Sequence, residues 1–157
     1  MIKINIVCVG KVKENYFADG IKEYTKRLSR FCDFNIIEIE EENFSRINGG
    51  TVAVIKEKEG AKILPALKGY VIATAVEGKQ ISSDELARKI TDLAARGEST
   101  VTFVIGGSYG LSDAVKNAAA EKISFSKMTF PHTLFRLMLT EQIYRAFAII
   151  EGSAYHK

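Results

Sequence analysis

Alternation constrains this chain more than any other feature. The runs IKINIVCV (2–9), FNIIEIE (34–40), YVIATAV (70–76), TVTFVI (100–105) and the start of ISFSKM (123–128) are rich in β-branched residues. Helical periodicity separates them. Phe17, Ile21, Tyr24, Leu28 and Phe31 recur at spacings of four and three and form one apolar stripe, with Lys22, Lys26, Arg27 and Arg30 opposite. A helix is predicted over about 52–64, ending at Pro65, after an acidic and polar loop that runs to Gly50. Ser82 and Glu85 form a capping box for a helix that stops before Gly97. Ser112 caps the short helical stretch DAVKNAAAEK, and Pro131 opens a long helix to about Glu151, with Gly152 just past its end. No repeat or low-complexity segment interrupts the pattern.

Such alternation predicts an α/β fold: a single domain, 1–157, with a mostly parallel sheet and helices on both faces. Ligands of these sheets bind where strands run C-terminally into helices. The loops after Val76, after Ile105 and around Met128 are therefore expected to be neighbours. Leu134, Phe135, Leu137, Met138, Leu139, Ile143, Tyr144, Phe147, Ile149 and Ile150 wrap most of the last helix. One sheet surface cannot cover them all, so either a second subunit lies on this helix in a homodimer or the helix is central to one subunit.

Composition narrows the chemistry. Cys8 and Cys32 belong to no spaced framework and read as buried free thiols in a reducing compartment. The two histidines, His132 and His156, lie far apart and no four-ligand pattern occurs, so no metal is expected. The apolar run at the start is too short for a membrane span and poorly flanked for a signal peptide, and the chain reads as cytoplasmic. A net charge of +3 is compatible with a phosphate-rich partner without requiring one.

The segment IGGSYG (105–110) fails as a dinucleotide fingerprint, because Gly106 and Gly107 are adjacent and follow the fourth strand. It also lacks the Lys-Ser/Thr pair of a P-loop. It reads either as a structural tight turn or as a place where backbone approaches a ligand closely. FSKMTFPH (125–132) reads either as a strand end packing into the core or as a loop whose Ser126, Lys127 and Thr129 bond a ligand edge between apolar walls. His132 begins the last helix, Arg136 follows four residues on along the same face, and Glu141 with Arg145 reads as a structural ion pair. The tail SAYHK is either a frayed end or an element in which Tyr155 stacks on a base while His156 and Lys157 meet phosphate. The basic face of the first helix is either simply solvated or faces phosphate.

FVIGGSYGLS, SFSKMTFPH, EQIYRAF and the closing AYHK, together with VGK near the start and KEKEG in the middle, resemble the ribosomal large subunit methyltransferase H family of the SPOUT superfamily. The resemblance covers essentially the whole chain. It implies a trefoil knot near the C-terminus, a homodimer, and transfer of a methyl group from S-adenosylmethionine to N3 of a pseudouridine in 23S rRNA of the assembled ribosome. It places the cofactor on Thr74, on Gly106 and on Phe125, Ser126, Lys127, Met128, Thr129 and Phe130. Relatives often carry leucine where this chain has Thr74. For proton removal or stabilisation of the imide anion the candidates are His132, Arg136 and His156; for gripping RNA they are Lys22, Lys26, Arg27, Tyr155, His156 and Lys157, with Lys11 and Lys13 nearby. Two other classes fit the alternation: a flavodoxin-like nucleotide-binding domain and a non-catalytic ribosome-binding factor.

Overall fold

A computed structural model describes residues 1–157. In chain order its elements are β1 (Lys3–Val9), α1 (Asn15–Leu28), β2 (Asp33–Ile39), α2 (Gly49–Ile63), β3 (Tyr70–Gln80), α3 (Ser83–Ala95), β4 (Thr100–Ile105), α4 (Asp113–Ala118), β5 (Glu121–Ser124) and α5 (His132–Ile150). The strands form one sheet in the order β2-β1-β4-β3-β5. Every pairing is parallel.

Alternate residues of the central strands enter two separate cores, as the pleat requires. Ile4, Ile6, Cys8, Val101, Phe103 and Ile105 face α1, α3 and α5, packing on Leu28, Leu86, Ile90, Leu93, Leu139, Ile143 and Phe147. Val7, Val9, Val71, Ala73 and Val104 face α2 and α4, on Ile63, Leu111 and Val115. Helices thus cover both faces, and this is why the central strands are buried at nearly every position and rich in apolar residues. Each fully buried Ile or Leu here contributes about 1.5–3 kcal/mol through removal from water.

Some boundaries differ from the expected ones. α2 starts at Gly49 rather than near 52, because Asn48 Oδ1 accepts the Gly50 and Thr51 N–H groups while Thr51 Oγ1 accepts the Asn48 N–H. Two adjacent glycines in the first turn disguised this cap. α4 stops at Ala118, and Glu121 and Lys122, expected in that helix, belong to β5. Glu121 accepts from the Tyr70 hydroxyl (2.5 Å) and pairs with Lys89 (2.7 Å), so tertiary contacts override the helix propensity of AAAEK. β3 continues to Gln80 and pairs twice with β5, Thr74 and Lys79 both opposing Ile123, with the residues between them looped out.

The last helix begins one residue later than expected, with Pro131 at the N-cap and its carbonyl accepting from Phe135 (2.9 Å). It ends in a Schellman turn: Gly152 has φ +72°, its N–H reaches Ile149 O, and the Ser153 N–H reaches Ala148 O. Leu139, Ile143 and Ala146 are fully buried, whereas Leu134, Leu137 and Met138 are only half-covered. No helix is long and apolar enough to cross a membrane.

Both cysteines are buried and unpaired. Burial pushes the Cys8 and Cys32 thiols up to about 12. A thiol reagent at mildly alkaline pH is accordingly expected to leave both unmodified in native protein and to modify both once denaturant unfolds it. Rapid labelling of the native state contradicts that environment.

Candidate functional site

The three loops expected at the C-terminal edge of the sheet do meet, around a cleft of about 410 Å³. One wall is the bulged end of β3, Thr74 to Glu77. Another is the segment from Gly106 to Leu111 after β4, and the third is the β5–α5 connection with His132 and Phe135 of α5.

Each wall has a local cause. Gly78 lies so close to β5 that a Cβ there would sit 2.6 Å from the Ile123 carbonyl carbon, so the bulge hugs the sheet edge only as glycine. Thr74 Oγ1 donates to Val104 O (2.8 Å), so its hydroxyl is committed to the sheet. The residue itself lines the cleft. In IGGSYG the two open readings combine. The Gly110 N–H closes a tight turn on Gly107 O (3.0 Å), and the same turn lines the cleft. A Cβ on Gly106 would lie 2.5 Å from the Gly110 carbonyl carbon, so this wall is packed backbone against backbone.

The β5–α5 loop is shaped by its own serines. The Ser124 hydroxyl donates to Ser126 O (2.9 Å) and accepts the Ser126 N–H (3.3 Å), while Ser126 Oγ accepts the Met128 N–H (3.0 Å). Phe125 packs on Phe135 at 4.7 Å between ring centres. Phe125, Ser126, Met128, Thr129 and Phe130 line the cleft; Lys127 is exposed and its side chain is not part of the wall. Met128 is 74% exposed and stands at the mouth with Tyr109 and Val76.

The three polar candidates separate. His132 lines the cleft. Arg136, expected on the same face, instead turns to the ends of β1 and β2. It is 2% exposed, donates through Nη1 to Glu38 (2.7 Å) and through Nη2 to Gly10 O (3.0 Å) and Val9 O (3.3 Å). His156 sits 3.1 Å from Arg145 and 3.7 Å from Asp84, outside the cleft.

The tail is docked rather than frayed. The Tyr155 hydroxyl donates to Glu141 (2.9 Å) and meets that of Tyr24 (3.1 Å), while Arg145 lies over the Tyr155 ring and pairs with Glu141 through Nε (3.0 Å). Tyr155 lies edge-on to Tyr144 as well, so its ring is already in use; Lys157 is exposed. Lys22, Lys26 and Arg27 are exposed on α1, Arg27 lying 3.8 Å from Glu23 and over the Tyr24 ring.

Glu59, inside KEKEG, was not singled out from the sequence. It is 3% exposed, accepts the Glu42 N–H through Oε2 (3.1 Å) and leaves Oε1 without a partner, close to Gly107. Burial pushes its carboxyl above the usual range. Helical spacing offered a hint, since Ile55, Glu59 and Ile63 share one stripe.

The family model described as "Predicted SPOUT methyltransferase" matches residues 2–156. A protein of Latilactobacillus sakei named "Ribosomal RNA large subunit methyltransferase H" is 51% identical, covering 99% of this chain and all of its own length. A protein of the same name from Streptococcus uberis is 52% identical over the same shares. Among solved structures, a methylase family protein of Haemophilus influenzae superposes with a TM-score of 0.58 at 10% identity, covering 98% of this chain and 70% of that one. That last likeness is one of fold.

Proposed function

This chain belongs to the SPOUT methyltransferase family, and from that premise we propose that it transfers the methyl group of S-adenosylmethionine to N3 of a pseudouridine in 23S rRNA of the assembled ribosome, in the cytoplasm. The observation that carries the proposal is the three-loop cleft, which gathers Thr74, Gly106 and most of the Phe125–Phe130 run around one space.

The residues present fit the cofactor. Phe125, Phe130 and Ile105 supply apolar walls for a purine, the glycine turn lets backbone approach, and the serine-shaped loop presents main-chain groups in a fixed arrangement. When bound, S-adenosylmethionine supplies an electrophilic sulfonium methyl. The chain's task is then to align the acceptor with that methyl, exclude water and manage the proton of the base N3. Of the three candidates only His132 lines the cleft of this subunit, so we assign it the N3 proton.

Two finer readings accompany this one. From β5 at one sheet edge, the chain reaches α5, which packs on α1 and α3 and delivers Arg136 to the end of β1 at the far side. That change of sides supports the reading that residues 125–131 cross the strand ends as part of a trefoil knot. The half-covered Leu134, Leu137 and Met138 favour a homodimer packed on α5.

The deciding experiment offers labelled S-adenosylmethionine to ribosomes lacking the modification and, in parallel, to naked rRNA. Label on one 23S pseudouridine from ribosomes alone is expected. Cofactor binding with no label on either substrate would reject the rRNA target. A second expectation concerns the grip. Neutralising Lys22, Lys26 and Arg27 together should weaken ribosome binding and lower the slope of log affinity against log salt by roughly 2 to 3. An unchanged slope excludes that face.

A further inference from the structure

The side chains lining the cleft that carry a formal charge are Lys56, Glu77 and Lys116. Two of them cancel. Lys116 Nζ meets the Glu77 carboxylate at 2.5 Å, and that contact holds the Glu77 carboxyl below its usual range. Lys56 is left over. It belongs to α2, lines the cleft, is half-buried as a residue, and enters no ion pair or side-chain hydrogen bond. Glu57 and Asp113 border the adjoining groove between α2 and α4, which Lys56 also lines, yet neither pairs with it.

An ammonium at a cleft wall without a counter-charge favours an anion beside it. The cofactor proposed for this cleft carries one anionic group, the carboxylate of its methionyl part. Its sulfonium and its α-ammonium are positive, so a lysine is favourable only against the carboxylate oxygens. We propose that Lys56 binds the methionyl carboxylate, making α2 a fourth wall of the cofactor site. This rests on the reading of the cleft given above.

The test uses two ligands that share adenosine and a thioether. S-adenosylhomocysteine has the amino-acid end; 5′-deoxy-5′-methylthioadenosine lacks it. Calorimetric titration of the wild type, Lys56→Met and Lys56→Arg should show Lys56→Met weakening S-adenosylhomocysteine about tenfold, the scale of one partly exposed charge-assisted hydrogen bond. Methylthioadenosine should stay within about twofold in the same comparison, and Lys56→Arg should recover most of the loss. Methionine is a good helix former, and matching melting curves establish that the variant is folded. Equal losses for both ligands, or none for either, overturn the assignment. So does an effect confined to the KM for ribosomes, which would make the anion an RNA phosphate. Wild-type protein that binds neither compound instead overturns the cofactor reading of the cleft, and Lys56's role with it.

Discussion

Gly106→Ala is expected to cost more than tenfold in S-adenosylmethionine affinity and about 1–3 kcal/mol in stability. The added methyl has no flexible neighbour to displace. It would meet the Gly110 carbonyl carbon at 2.5 Å and the Leu111 nitrogen at 2.8 Å. Those atoms are held by the Gly110-to-Gly107 hydrogen bond and by Leu111, which is buried against Val9 and Val104 in the second core. The turn can yield only by moving, and it is a wall of the cleft. Gly97→Ala is the control. Gly97 has φ +88° with open space around it, so alanine there strains the backbone by about 1 kcal/mol without touching the cleft. Cofactor titration and thermal denaturation of both variants separate the two effects. Wild-type affinity in Gly106→Ala shows that the turn is not part of the binding wall.

The second large effect is expected at Arg136. Arg136→Met strands the Val9 and Gly10 carbonyls and removes the partner of Glu38. Breaking a fully buried pair costs about 3–5 kcal/mol. Here Glu38 is 41% exposed on its side chain and can recover water, so about 2–3 kcal/mol is the discounted figure. For a chain of this size that lowers Tm by roughly 4–12 °C. Cofactor affinity, measured where the variant remains folded, should hold. A variant that melts like the wild type but transfers no methyl group would return Arg136 to the chemistry of the reaction.

Much of this was legible in the sequence, and for identifiable reasons. The two-sided strands announce themselves because burial on both faces favours apolar, β-branched residues at successive positions, as in Ile6-Val7-Cys8-Val9 of β1. Ser82 with Glu85 is a local signal and reads correctly, the pair capping α3 in both directions. Parallel topology puts the three loops on one edge of the sheet, and the adjacency of β4, β3 and β5 makes them neighbours. What stayed hidden depends on contacts far apart in the chain. Arg136 reaches residues more than a hundred positions away, so its four-residue spacing from His132 suggested a shared surface that the packing does not provide. Tyr155 looked free because its partners, Tyr24 and Glu141, come from two helices whose adjacency no local pattern encodes. Glu59 sits on a buried stripe, where a carboxylate is contrary to the usual distribution of charge.

The serine bonds within the β5–α5 loop have a consequence for how a ligand arrives. Ser124 and Ser126 close successive turns using groups of the loop itself, so residues 124–128 are held by bonds that need no ligand. A loop that folded only around its ligand would lose that freedom during association and slow it. Here the entropy of ordering residues 124–128 belongs to the folding of the polypeptide, and the exposed Met128 side chain lies at the cleft.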